Sequence, residues 1–180
     1  MKLKIFKLIV WLRNPISHIL WWIVRCFLTV ERPGKWNAIR STSTAQQMSD
    51  LMSAINYKAD PMMGVFDYTL YDLDLIFNEK KSWWWSCDCD DSAFAWFDWA
   101  VGHDYSAWQV ALVDGTDIKS AHMVTVYQQP DGKYRLCNWQ LYPVCFPALD
   151  VAIDEFRYEK LTVHGKYTDL MWAVYRKYQS

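Results

Sequence analysis

Residues 87–101 read Cys-Asp-Cys-Asp-Asp-Ser-Ala-Phe-Ala-Trp-Phe-Asp-Trp-Ala-Val, a polar, thiol-bearing start that runs straight into a stretch dense in aromatics. At 100° per residue, Phe94, Trp96, Phe97 and Trp99 point in several directions, and a helix that is apolar on most sides has to be enclosed. Gly102 predicts its end. The rest of the chain must therefore supply cover on more than one side of this helix, which excludes any architecture in which it is a surface element.

The chain has the material for that cover. Its 180 residues are 52% hydrophobic, enough for one good core and too few for two ordinary domains with a linker. Beyond Gly102, Trp108–Val113, Met123–Tyr127 and Tyr134–Leu141 read as three strands. Gln129-Pro130-Asp131-Gly132 between the last two places Pro and Gly where a type I turn favours them, predicting an antiparallel hairpin. Leu149–Tyr158 and Thr168–Tyr178 predict closing helices, with Leu161–Val163 a short strand between them. Ahead of the buried helix, Ser43 or Thr44 caps a helix over about 45–57 whose Met48, Leu51, Met52 and Ile55 share a face. The turn-rich stretch 60–81 predicts an irregular wrap. The class is α+β, a buried helix packed on an antiparallel sheet, with a body over 41–180 and an extension and connector over 1–40.

That extension has its own character. Residues 1–40 hold eight Lys/Arg and one Asp/Glu, against eleven and nineteen in the rest, so a basic head precedes an acidic body. Asn14-Pro15 divides the apolar run Leu3–Val30, predicting helices over about 3–12 and 15–29. On the second, Ser17, His18 and Arg25 fall in one narrow arc, leaving Ile16, Ile19, Ile23, Phe27 and Val30 on a broad apolar surface. With Arg25 inside it, the run falls short of a membrane span, and Val30-Glu31-Arg32-Pro33 lacks the small residues of a leader-peptide cleavage site. The expected setting of residues 3–30 is another protein of an assembly or the body itself, then a membrane surface, and last a true membrane anchor. Residues 31–43, with Pro33-Gly34, read as the connector. An acidic body without a Lys/Arg cluster gives a polyanion nothing to hold, so nucleic acid is not expected as a partner.

The chemistry is expected where the buried helix begins. The first backbone N–H groups of a helix have no partner within it, and they favour both a thiolate and a developing oxyanion, so Cys89 is placed to act as a nucleophile. Asp90 and Asp91 then fall in the first turn, where acidic side chains complement the helix dipole, a structural role. His122 begins the first strand of the hairpin, and Asn138 lies near the end of the returning one. An amide at that point can hold the imidazole in its reactive tautomer. A two-residue turn would put residue 139 opposite 122, and a longer loop or bulge is needed to bring Asn138 there.

These residues together resemble the bacterial transglutaminase-like cysteine proteinases, over residues 57 to about 141. That family's motif is Gly-Asp-Cys-Glu-Asp; Asp88-Cys89-Asp90-Asp91 matches it, and Cys87 stands in place of the glycine. Its His-Ala-Val-like strand corresponds to His122-Met123-Val124. Its Asp-Asn pair falls on Cys137-Asn138, so the usual aspartate is absent and Asn138 takes the orienting position. The resemblance implies a papain-like core and acyl transfer on a peptide or amide substrate, with Cys89 as nucleophile, His122 as base and Asn138 as orienter. It implies no cofactor and no metal. Trp84, Trp85 and Asp88, flanking the thiol in sequence, are expected to line the substrate cleft.

Plainer readings stand beside this one. A free cysteine is often an inert small hydrophobe, and Cys87-x-Cys89 with His122, Cys137 and Cys145 has some of the ingredients of a zinc site without the usual paired Cys-x2-4-Cys knuckles. The twelve tryptophans are most simply core and interface anchors. Five cysteines are an odd number in a chain that needs no stapling, so reduced thiols are expected, in a reducing cytoplasm or within an assembly rather than in a secreted protein. The rival function is a structural or interaction protein of a larger assembly, such as a phage particle, that retains the architecture without the chemistry and docks through residues 1–30.

Overall fold

The computed structural model describes residues 35–55, 88–114, 121–162 and 170–180. They form helices α1 (Lys35–Thr42), α2 (Ala45–Ser53), α3 (Cys89–Gly102) and α4 (Leu149–Thr162), and strands β1 (Ala107–Asp114), β2 (Ala121–Gln128), β3 (Tyr134–Cys137), β4 (Leu141–Phe146) and β5 (Leu170–Tyr178). The five strands make one antiparallel sheet in the order β4-β3-β2-β1-β5. The expected helices at 3–12 and 15–29, the wrap at 60–81, and Trp84 and Trp85 lie outside the described residues. Among those residues no helix is long and apolar enough to cross a membrane.

The sheet is covered on both faces. Side chains alternate along a strand, and Val110 and Leu112 of β1, Val124 and Val126 of β2 and Leu136 of β3 pack with Phe146 and with Ala152, Ile153 and Phe156 of α4. Their neighbours in sequence face the other way. Ala111, Val113, Met123 and Ala173 pack with Ala93 near the start of α3, and Ala107 and Tyr127 join Trp96, Trp99, Met48 and Met52 further along it. Thus α3 lies between the sheet and the pair α1 and α2, and Trp96 and Ala95 are fully buried. The enclosure that its all-round apolar sequence demands is met.

Local capping explains where the helices begin. Thr44 caps α2 with a reciprocal capping box to Gln47, and Met48 and Met52 are buried on the expected face while Leu51 and Ile55 pack at its margin. At the start of α3, the Asp88 carboxylate accepts from Asp90 N at 3.3 Å and the Asp91 carboxylate accepts from Asp88 N at 3.3 Å. Asp91 is thereby fully buried without being idle. The expected turn is present: Gly132 N donates to Gln129 O at 2.9 Å, with Gly132 at φ +83°.

Four expectations differ from the structure. Residues 35–42 of the expected connector form α1, because Trp36 supplies a tertiary anchor: it is buried, its indole N–H donates to Asp98 Oδ2 at 2.6 Å, and Arg40 Nε donates to Asp98 O at 3.1 Å. The strand expected over 134–141 breaks at Cys137, and a turn at 138–140 returns the chain as β4. The expected closing helix over 168–178 is instead strand β5. Leu170 and Trp172 pack toward α4 while Met171, Ala173 and Tyr175 pack toward α3, so both faces are apolar and the polar alternation that marks a strand is missing. Leu161, expected in a short strand, continues α4, where Lys160 Nζ sits 5.0 Å above the Phe156 ring one helical turn back.

Candidate active site

The thiol of Cys89 occupies the first position of α3, directly after the Asp88 cap. It is half-buried and packs against the cluster of Ala93, Ala111, Val113, Met123 and Ala173. The helix runs in the same direction as β2: Thr125 Oγ1 donates to Ala93 O at 2.6 Å, and Trp99 meets Tyr127 edge-to-face at 5.6 Å. Following that trend back toward the helix start brings the first turn of α3 over Met123, the residue next to His122.

His122 is half-buried, and its Nε2 lies 2.8 Å from Asn138 Oδ1. An amide oxygen only accepts, so this bond puts the proton on Nε2 and leaves Nδ1 as the basic nitrogen. The imidazole also lies nearly parallel to the Phe156 ring of α4, with centroids 5.8 Å apart. His122 shares its strand face with Val124 and Val126, whereas the thiol's neighbour Met123 is on the other. Since His122 is only the second residue of β2, both groups belong to the same rim of the sheet, on faces of opposite parity.

The strand register accounts for how Asn138 reaches the ring. Thr125 pairs with Cys137; three residues further along each strand, Gln140 would stand opposite His122. Asn138 is therefore a diagonal neighbour, within reach of a side chain. With the five residues 129–133 between paired Gln128 and Tyr134, the register places neither 139 nor Asn138 opposite His122, which differs from both expectations. The backbone of this turn is tied to α3, since Ser92 Oγ donates to Asn138 O and Trp96 Nε1 to Trp139 O, each at 3.3 Å. It is also tied to α2, where Leu141 N donates to Ser49 Oγ at 3.0 Å and Gln140 Nε2 to Ser53 Oγ at 2.8 Å. In the sequence Trp96 stands out only as an apolar residue of the buried helix, and Ser49, Ser53 and Gln140 do not stand out at all. The one signal was a serine, Ser92, inside an otherwise apolar helix.

The other thiols have different settings. Cys137 faces α3 fully buried, and burial holds its pKa well above the ordinary thiol range, against a lowering effect of Arg135. Cys145 is exposed on β4 with its Sγ 3.3 Å from Gln129 Oε1. Asp88, Cys89 and Asp90 offer donor atoms that all lie within 4.8 Å of one another. Asp88 is already committed to capping the helix, and among the described residues neither His122 nor another cysteine belongs to this group.

Compared with protein-family models, curated proteins and solved structures, the chain gives no match.

Proposed function

We propose that the chain carries out thiol-dependent acyl transfer on a peptide or amide substrate, within a core of papain or transglutaminase-like type. The observation that carries the reading is the 2.8 Å contact between His122 Nε2 and Asn138 Oδ1, which puts the ring proton on Nε2 and leaves Nδ1 as the basic nitrogen, at the same sheet rim as a cysteine in the first turn of α3. Cys89 passes its proton to His122, and the sulfur attacks the substrate carbonyl carbon. The carbon–nitrogen bond then breaks as the imidazolium returns the proton to the departing amine, leaving a thioester on Cys89. Water completes hydrolysis; an incoming amine completes a crosslink. Backbone N–H groups in the first turn of a helix suit a developing oxyanion, and Cys89 stands at the first position of α3.

The second reading is a structural or interaction protein docking through residues 1–30. The observation favouring it is the parity of β2, which sends His122 toward Phe156 and Met123 toward the thiol's cluster. A thiol-directed acylating probe read by intact mass and peptide mapping separates the two. Acyl transfer requires one adduct on Cys89, lost in Cys89→Ala and strongly slowed in His122→Ala, with Cys87→Ala labelled normally. Labelling of Cys89 no faster than of exposed Cys145, and indifferent to His122, would leave only the structural reading.

A further inference from the structure

We propose that Ser92 is a positioning residue for Asn138, so that the nucleophile and the group that orients its base are both indexed to one helical turn; the catalytic part of this inference rests on the acyl-transfer reading. Ser92 is three residues after Cys89 on α3 and only 2% exposed. A serine in so apolar a helix offers little to packing that alanine would not, and its hydroxyl is spent on one bond, to the carbonyl of Asn138 at 3.3 Å. One turn on, on the same face of the helix, the Trp96 indole N–H meets the next carbonyl, that of Trp139, at 3.3 Å. Consecutive carbonyls of the turn are thus held by consecutive turns of the helix that begins with the thiol.

From the other side, Ser49 and Ser53 of α2 take Leu141 N and the Gln140 side chain, and Asn138 N donates to Gln140 O at 3.1 Å inside the turn. The residue so clamped is the one whose Oδ1 sits 2.8 Å from His122 Nε2. A tight turn with both ends tied leaves the Asn138 side chain few ways to point. Removing the Ser92 bond frees the carbonyl on the α3 side and lets the amide drift from the ring, and a small displacement of an orienting group is costly in rate.

The test is made on the full chain with Ser92→Ala, Ser92→Thr, which keeps the hydroxyl, and Trp96→Phe, which removes the neighbouring donor. Nitrogen and proton chemical shifts of the His122 ring report its tautomer and titration directly, whether or not the protein turns over any substrate. The expected result for Ser92→Ala is loss of the pure Nε2–H tautomer, a shifted His122 titration and about tenfold slower acylation of Cys89, with Ser92→Thr restoring the ring signals. Trp96→Phe moves the same signals in the same direction, and carries the test if Ser92→Ala does not fold. An unchanged His122 tautomer and titration in whichever of the two folds overturns the proposal. An inert Cys89 in the parent protein, with the ring signals responding as expected, overturns acyl transfer and leaves the positioning intact.

Discussion

Thr125 Oγ1 donates to the carbonyl of Ala93 at 2.6 Å across the interface between β2 and α3, with Thr125 fully buried. This bond fixes how far the helix slides along the strand, and so where Cys89 stands relative to the start of β2. Valine has nearly the same shape but no hydroxyl, and a lost bond of this kind costs about 1 kcal/mol. Thr125→Val is therefore expected to lower the unfolding free energy by that amount, read as a lower urea midpoint with an unchanged slope. Amide exchange in the first turn of α3 should rise more than the global loss explains. Uniform exchange along α3 would show that the bond does not set the helix register.

The bond between Asn138 and His122 bears on activity rather than on stability. Both groups are half-buried at the sheet rim, and Asn138→Ala removes the acceptor that keeps the proton on Nε2. Acylation of Cys89 should fall about 100-fold, while Asn138→Asp, which keeps an acceptor in place, should retain most of the rate. The comparison is made by stopped labelling with a fluorescent acylating probe. Equal rates in the alanine variant and the parent would remove Asn138 from the site.

How much of this was legible in the sequence depends on whether a signal was local. The cap at Thr44, the burial of α3 and the turn at Gln129–Gly132 follow from residue choice within a few positions, and each is present. The contact of Asn138 with His122 is expected from direct pairing near 138 or 139, but a hairpin's register depends on its loop, and here the ring is reached across the diagonal with Gln140 opposite. The strand β5 was read as a helix since Leu170 and Ala173 bury opposite faces and nothing polar marks the alternation. Helix α1 was hidden for another reason. Its order comes from Trp36 and Arg40 meeting Asp98, some sixty positions away, and no local propensity encodes a contact of that range.

That same contact makes Gly102 a test of how α1 is held. A Cβ at Gly102 would stand 2.5 Å from Arg40 Cγ and 2.6 Å from its Nε, so Gly102→Ala pushes aside the side chain that reaches Asp98. Displacing Arg40 loses its charge-assisted bond to Asp98 O, which costs about 1.5–3 kcal/mol, more than the gain of up to about 1 kcal/mol that alanine brings to a helix over glycine. In the parent background the substitution should destabilise. In an Arg40→Ala background the obstacle is gone and only the propensity gain is left, so the same change should become neutral or stabilising. A double-mutant cycle from urea melts measures this; simple additivity would mean that Arg40 does not fill the space against Gly102.

Cys137 and Tyr127 make the core sensitive to base. Burial is the main cause that holds the Cys137 thiol well above its usual value of 9.0, with Arg135 opposing it. Burial likewise raises the Tyr127 phenol, with Cys137 and Tyr105 adding to the rise and Arg135 again opposing. Below the ordinary thiol range both the folded and the unfolded chain keep these protons, and stability is independent of pH through them. Above pH of about 9 the unfolded chain releases the Cys137 proton while the fold retains it, so the unfolded state binds fewer protons and stability falls as pH rises. Tyr127 adds a second decline above its ordinary value of 10.0. Each retained proton contributes a slope of about 1.4 kcal/mol per pH unit. Cys137→Val, which keeps the side chain apolar and of similar size, should remove the first decline and leave the second, so that the parent loses stability relative to the variant between pH 9 and 10 in urea melts at successive pH values. Parallel curves through that window would mean that the buried thiol titrates in the folded chain much as it does in the unfolded one.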